Sequence, residues 1–140
     1  MEARQALVER MIDLIDDKDF AALPRVLTPD CEFAHPVASV RGSESVAEFL
    51  AGMGAPFPGS RHELVHVVTA GDTVLLEGMW CGTQDGPLVT PGGELPPSGR
   101  TVSLPFAAVA RIPGDRIASV HVYVDQLAFM TQLGLIPAAA

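Results

Sequence analysis

Alternation along residues 117–125 sets Ser119, His121, Tyr123 and Asp125 on one face of an extended segment, with Ala118, Val120, Val122 and Val124 on the other. An imidazole, a phenol and a carboxylate in one row are groups that can exchange protons with a bound carbonyl compound. Reading Gly114-Asp115 as a two-residue turn pairs Ile112 with Ile117, which brings Phe106 opposite Tyr123 and Leu104 opposite Asp125. Asp125 is then expected beside apolar side chains, where desolvation lifts a carboxylate toward the range of a general base. The same residue precedes a short helical stretch, so an N-cap role competes with the catalytic one. The valine row opposite is a smooth apolar face suited either to the core or to a subunit interface.

A second motif invites metal chemistry. His62-Glu63-Leu64-Val65-His66 matches H-E-x-x-H, in which two histidines four apart on a helix share one zinc. On a helix that spacing rises about 6 Å along one face. On a strand it spans about 13 Å, too far for both rings to reach one ion. Val65, Val67, Val68 and Thr69 are β-branched, and glycines bound the segment at Gly59 and Gly71, so a strand is expected and no metal site. His66 then pairs across a hairpin with Glu77.

The elements that carry these residues follow from hydrophobic period. Leu7, Met11, Leu14 and Ile15 mark an amphipathic helix over residues 3–16, and Asp16-Asp17-Lys18-Asp19 suits the turn after it. Phe20, Leu23, Val26 and Leu27 suggest a short second helix, and Cys31 to His35 a short strand stopped by Pro36. Arg41-Gly42-Ser43 reads as turn and cap for a third helix, with Val46, Phe49, Leu50 and Met53 as its stripe. Beyond residue 60 the period changes to two. Residues 61–70 and 73–83 form one hairpin around Ala70-Gly71-Asp72, and 101–112 with 116–125 a second around Pro113-Gly114-Asp115. Residues 86–99, rich in Gly and Pro, form a loop placed to cover a site. A short helix follows from Gln126 to Leu133. Helices first and antiparallel strands after them give an α+β fold, a curved antiparallel sheet wrapped over the N-terminal helices to form a conical pocket.

Four stretches resemble a known family. Gly82-Thr83-Gln84-Asp85-Gly86-Pro87, Pro97-Ser98-Gly99-Arg100, His121-Val122-Tyr123-Val124-Asp125 and Gln132-Leu133-Gly134 are similar to the SnoaL-like polyketide cyclases, which share the nuclear transport factor 2-like superfold (an α+β barrel). The likeness covers nearly the whole chain, so 1–140 is expected to be one SnoaL-like domain. It implies a cofactor-free intramolecular aldol closure, with Asp125 as the general acid/base. The family often has His after the Gly-Thr pair, where this chain has Gln84. A second likeness, to ketosteroid isomerases of the same superfold, aligns their Asp-Pro-Val-Gly segment with His35-Pro36-Val37-Ala38, so imidazole replaces the carboxylate base. His35 or His121 would then assist Asp125 by polarising the carbonyl or relaying the proton. Trp80, Phe33, Phe106, Tyr123 and Met53 would line a pocket for a hydrophobic or aromatic small molecule. The alternatives are epoxide hydrolysis or isomerisation on the same superfold, or a non-catalytic binding or dimerisation module.

Composition narrows the partners. The 140 residues are 48% hydrophobic and 19% charged, enough to build a core and against disorder. A formal net charge of −8 repels phosphate backbones, so no nucleic acid is expected. Nowhere do enough apolar residues run together to cross a membrane, and the first residues lack the basic-then-apolar order of an export signal. Cys31 and Cys81 fit no metal spacing and are expected as two buried thiols in a reducing cytoplasm. No phosphate-binding loop, dinucleotide fingerprint or nucleophile elbow occurs, and no cofactor is expected. A homodimer is expected, joined sheet to sheet through Val120, Val122 and Val124.

Overall fold

Apolar spacing along the first helix decides where the sheet is closed. In the computed structural model, which describes residues 2–137, α1 (Ala3–Asp16) buries Val8, Met11, Ile12 and Leu14. Glu2 caps it, its carboxylate accepting from the backbone N–H of Gln5. A 3₁₀ helix (Phe20–Arg25) and α2 (Ser43–Gly54) complete the helical layer, with Leu23, Val46, Ala47 and Leu50 turned inward. Fully burying a side chain such as Leu23 contributes about 1.5–3 kcal/mol.

The strands are β1 (Leu27–His35), β2 (Ala38–Arg41), β3 (Arg61–Ala70), β4 (Thr73–Thr83), β5 (Leu88–Thr90), β6 (Gly93–Leu95), β7 (Thr101–Arg111) and β8 (Ile117–Val124). Six of them form one sheet in the order β2-β1-β8-β7-β4-β3, and β5 pairs with β6 alone. All the pairings are antiparallel except β1 with β8, which is parallel. That pairing closes the sheet across the whole intervening chain, a connection that local periodicity does not reveal. α3 (Gln126–Gln132) follows β8. The fold is thus the expected α+β, a curved and mainly antiparallel sheet over helices.

Several local expectations change. β1 begins at Leu27, in residues whose apolar spacing suggested helix, and β2 was not anticipated. The Gly/Pro-rich stretch carries the small β5–β6 hairpin rather than plain loop. On β4, Cys81 alternates outward and is exposed, so only Cys31 is a buried thiol. Burial first, and then the neighbouring Asp30 and Glu32, push the Cys31 thiol up to about 11.

The β3–β4 pair runs as expected, with His66 opposite Glu77 and their side chains hydrogen-bonded. A bulge between Leu64 and His66 leaves Val65 without a partner. It shifts the alternation, so His62 and Leu64 face inward while His66 is exposed. Gly78 makes the bulge possible: a Cβ there would lie 2.1 Å from the Glu63 carbonyl oxygen. His62 and His66 therefore leave opposite faces of one strand. The described residues contain no group of three or more His, Cys, Asp or Glu placed to hold a metal ion.

Candidate functional site

The concave face of the sheet, the helices and the β5–β6 hairpin enclose a cavity of about 1090 Å³. That exceeds the usual range of small-molecule sites, about 300–1,000 Å³, and leaves room for a polycyclic skeleton. Its wall is mostly apolar. Phe33 and Phe106 are buried there, and Trp80 and Met53 contribute to the same wall. The Trp80 ring meets Phe57 edge to face at 5.1 Å and lies 6.3 Å from Phe129. Leu88 and Val89 of the hairpin cover one side.

Gln84 holds that hairpin in place. It is 3% exposed, donates to the carbonyls of Gly86 and Pro96, and accepts from the Ser98 hydroxyl. Its amide therefore fastens both ends of the covering segment instead of facing a ligand.

β8 presents the opposite face from the one its polar row suggests. Val120, Val122 and Val124 line the cavity, while Tyr123 is 60% exposed and His121 stands on the outer surface, 4.0 Å from Glu32. Asp125 is exposed as well, and its carboxylate accepts from the Ala128 backbone N–H at 2.9 Å as the N-cap of α3. Asp125, His121 and Tyr123 are thus outside the cavity wall, and the valine row is unavailable to a partner subunit. Two physical reasons account for this. The turn after Ile112 is longer than two residues, so the register pairs Phe106 with Val124, one step from the expected partner. An apolar cavity also recruits the apolar face of a strand, leaving the polar face to water.

Two histidines do face the cavity. His35, at the end of β1, packs 6.2 Å from Phe49. Its Nδ1 accepts from the Val37 backbone N–H at 3.3 Å, which assigns the ring proton to Nε2. Burial lowers its pKa from 6.5, so the ring is neutral near pH 7.

His62 has the opposite assignment. Asp16, at the end of α1, accepts from the His62 backbone N–H at 3.0 Å and meets the ring Nδ1 at 2.6 Å. An ionised Asp16 keeps the proton on Nδ1 and leaves a lone pair on Nε2. Both side chains are largely buried, with 16% and 9% exposed, and Phe106 meets the His62 ring edge-on at 5.3 Å. Beside this pair the Lys18 ammonium donates to the Ser60 hydroxyl at 2.6 Å, and both residues line the cavity.

The cavity wall thus holds one imidazole arranged to accept a proton and one arranged to donate a hydrogen bond. Of the residues singled out from the sequence, Phe33, Trp80, Phe106, Met53 and His35 line the cavity. From sequence Asp16 reads as part of a turn, and His62 as a strand residue in a motif that resembles a metal site. The inward alternation of His62 and Leu64 on an apolar strand is the signal that could have found His62. No local signal links it to a residue 46 positions earlier.

Solved structures share this architecture. A candidate SnoaL-like polyketide cyclase from Jannaschia sp. CCS1 superposes with a TM-score of 0.84 at 25% identity, covering 96% of this chain and 94% of that one. IdmH, a candidate polyketide cyclase from Streptomyces antibioticus, gives 0.78 at 19% identity over 94% of this chain and 98% of that one. An NTF2-like protein of unknown function from Burkholderia pseudomallei K96243 gives 0.79 at 16% identity, over 95% and 98%. No curated protein matches the sequence. The sequence profile of the SnoaL-like domain matches residues 8–120, most of the chain and every strand from β1 to β7. The chain belongs to the SnoaL-like domain family, on the nuclear transport factor 2-like fold.

Proposed function

We propose that this chain is a cofactor-free acid–base enzyme acting on a hydrophobic or aromatic carbonyl compound, of the polyketide-cyclase type. The observation that carries this reading is His62 in the wall of a large apolar cavity, paired with Asp16 behind it. His62 Nε2 removes a proton from the carbon next to a carbonyl, and the Asp16 carboxylate stabilises the imidazolium that results. His35 Nε2–H donates to the carbonyl oxygen, where negative charge develops. The carbanion attacks a second carbonyl of the same molecule, a C–C bond forms, and the new alkoxide takes a proton back. The general-base role expected of Asp125 passes to His62, because Asp125 is occupied as a helix cap. Epoxide opening, which calls for an arginine beside paired carboxylates, is less well supported: no arginine is among the described residues lining the cavity.

The test uses 2-tetralone in D₂O, with exchange at its activated CH₂ followed by proton NMR. Wild-type protein is expected to accelerate exchange above the buffer rate. His62→Gln should lose about 10²–10⁴-fold of that acceleration, and Asp125→Asn should retain it. Full activity in His62→Gln, or its loss in Asp125→Asn, overturns the assignment. Binding of 2-tetralone with no acceleration identifies a binding module instead.

A further inference from the structure

We propose that Lys18 receives an ionised oxygen of the ligand, so that the cavity selects apolar or aromatic molecules carrying an acidic group. This rests on the cavity being a ligand site, as proposed above, but not on His62 being a base.

The argument starts at the end of α1. The Lys18 N–H donates to the Ile15 carbonyl at 3.1 Å and the Asp19 N–H to the Leu14 carbonyl at 2.9 Å, the paired bonds that close a helix through a left-handed residue. That residue is Lys18, with φ +60°, the only non-glycine with positive φ among the described residues. Glycine is the default there, because a Cβ in this conformation crowds the following carbonyl oxygen. The position that favours no side chain instead carries the only lysine of the chain.

Its side chain is guided toward the cavity. A Cβ on Gly54 would lie 3.8 Å from Lys18 Cδ and 3.7 Å from Nζ, so the lysine stem runs over the bare glycine backbone. The ammonium ends at the Ser60 hydroxyl, in the cavity wall. No carboxylate is within ion-pair distance of it among the described residues. Asp16, two residues away, is engaged by His62. One of three ammonium donors is used by a neutral hydroxyl, and the charge is left to be matched by a ligand. Burial lowers the lysine pKa, against the opposing pull of Asp16.

The experiment compares naphthalene-2-carboxylate with its neutral counterpart 2-naphthylmethanol, following the indole N–H signal of Trp80. This is the only tryptophan, and it lines the cavity. Wild type is expected to bind the carboxylate at least about tenfold more tightly than the alcohol, in keeping with a charge-assisted hydrogen bond. Lys18→Met and Lys18→Gly should bind the two equally, while Asp125→Asn, outside the cavity wall, keeps the preference. Lys18→Gly should also melt no lower than wild type, which separates lost recognition from lost folding. Equal binding by wild type, or a preference that survives in Lys18→Gly, overturns the inference and leaves the proposed catalysis standing. If neither compound moves the Trp80 signal, the cavity is not a site for such ligands and both proposals fall.

Discussion

At the scale of single residues, His35 ties stability to one proton. Burial holds its pKa below 6.5, so on acidification the unfolded chain takes up the proton before the folded chain does. Stability is therefore unaffected by this group above 6.5 and falls as pH drops through 6.5 toward the lower folded value. Urea midpoints measured at about pH 7.5 and about pH 5.5 should show the decline, and His35→Gln should flatten it. A variant with the same slope as wild type would place the titrating group elsewhere. The aromatic wall was legible at this scale, because large apolar side chains on alternating strands have few other places to go. His35, singled out by its Pro-Val neighbours, lines the same cavity. The Asp16–His62 pair was not legible, since each half has an ordinary local explanation and only the fold brings them together.

Elements were legible where one period ran long enough. The hairpin of β3 and β4 appears at its expected limits, down to the His66–Glu77 pairing. β8 is legible as a strand, but alternation alone does not say which face meets the core, and its polar row lies outside the cavity wall. The bulge at Val65 was hidden too, because its sign is a glycine on the neighbouring strand. Gly78→Ala tests that link. Its methyl group would collide with the Glu63 carbonyl, so the bulge must shift or the strands must part. The expected cost is about 1–3 kcal/mol, read from the denaturant midpoint. The altered bulge should also disturb the Asp16–His62 contact one turn of the ladder away, visible in the ring signals of His62. An unchanged midpoint would mean the bulge does not depend on the glycine.

For the whole molecule, the face turned from the cavity is the surface to examine. Val68, Leu75 and Tyr123 are each exposed on β3, β4 and β8, beside Ala107 and Val109 of β7. Large exposed apolar side chains on one sheet face are the kind of surface that self-association covers. The expected homodimer, which cannot use Val120, Val122 and Val124, would form here, sheet against sheet about a two-fold axis. Sedimentation should then give twice the 14.8 kDa chain mass, and Leu75→Glu or Tyr123→Glu should halve it. A wild-type monomer at micromolar concentration rules the dimer out. The described helices include none long and apolar enough to cross a membrane.

The solitary lysine also shapes how the protein meets reagents. Labels, cross-linkers and resins that target amines find one side chain in this sequence, apart from the N-terminal amine, and it forms part of the cavity wall. Attachment chemistry that is harmless on proteins with lysines scattered over their surfaces would here place its adduct inside the binding chamber. Immobilisation through Cys81, exposed on the outer sheet face, would leave the chamber open.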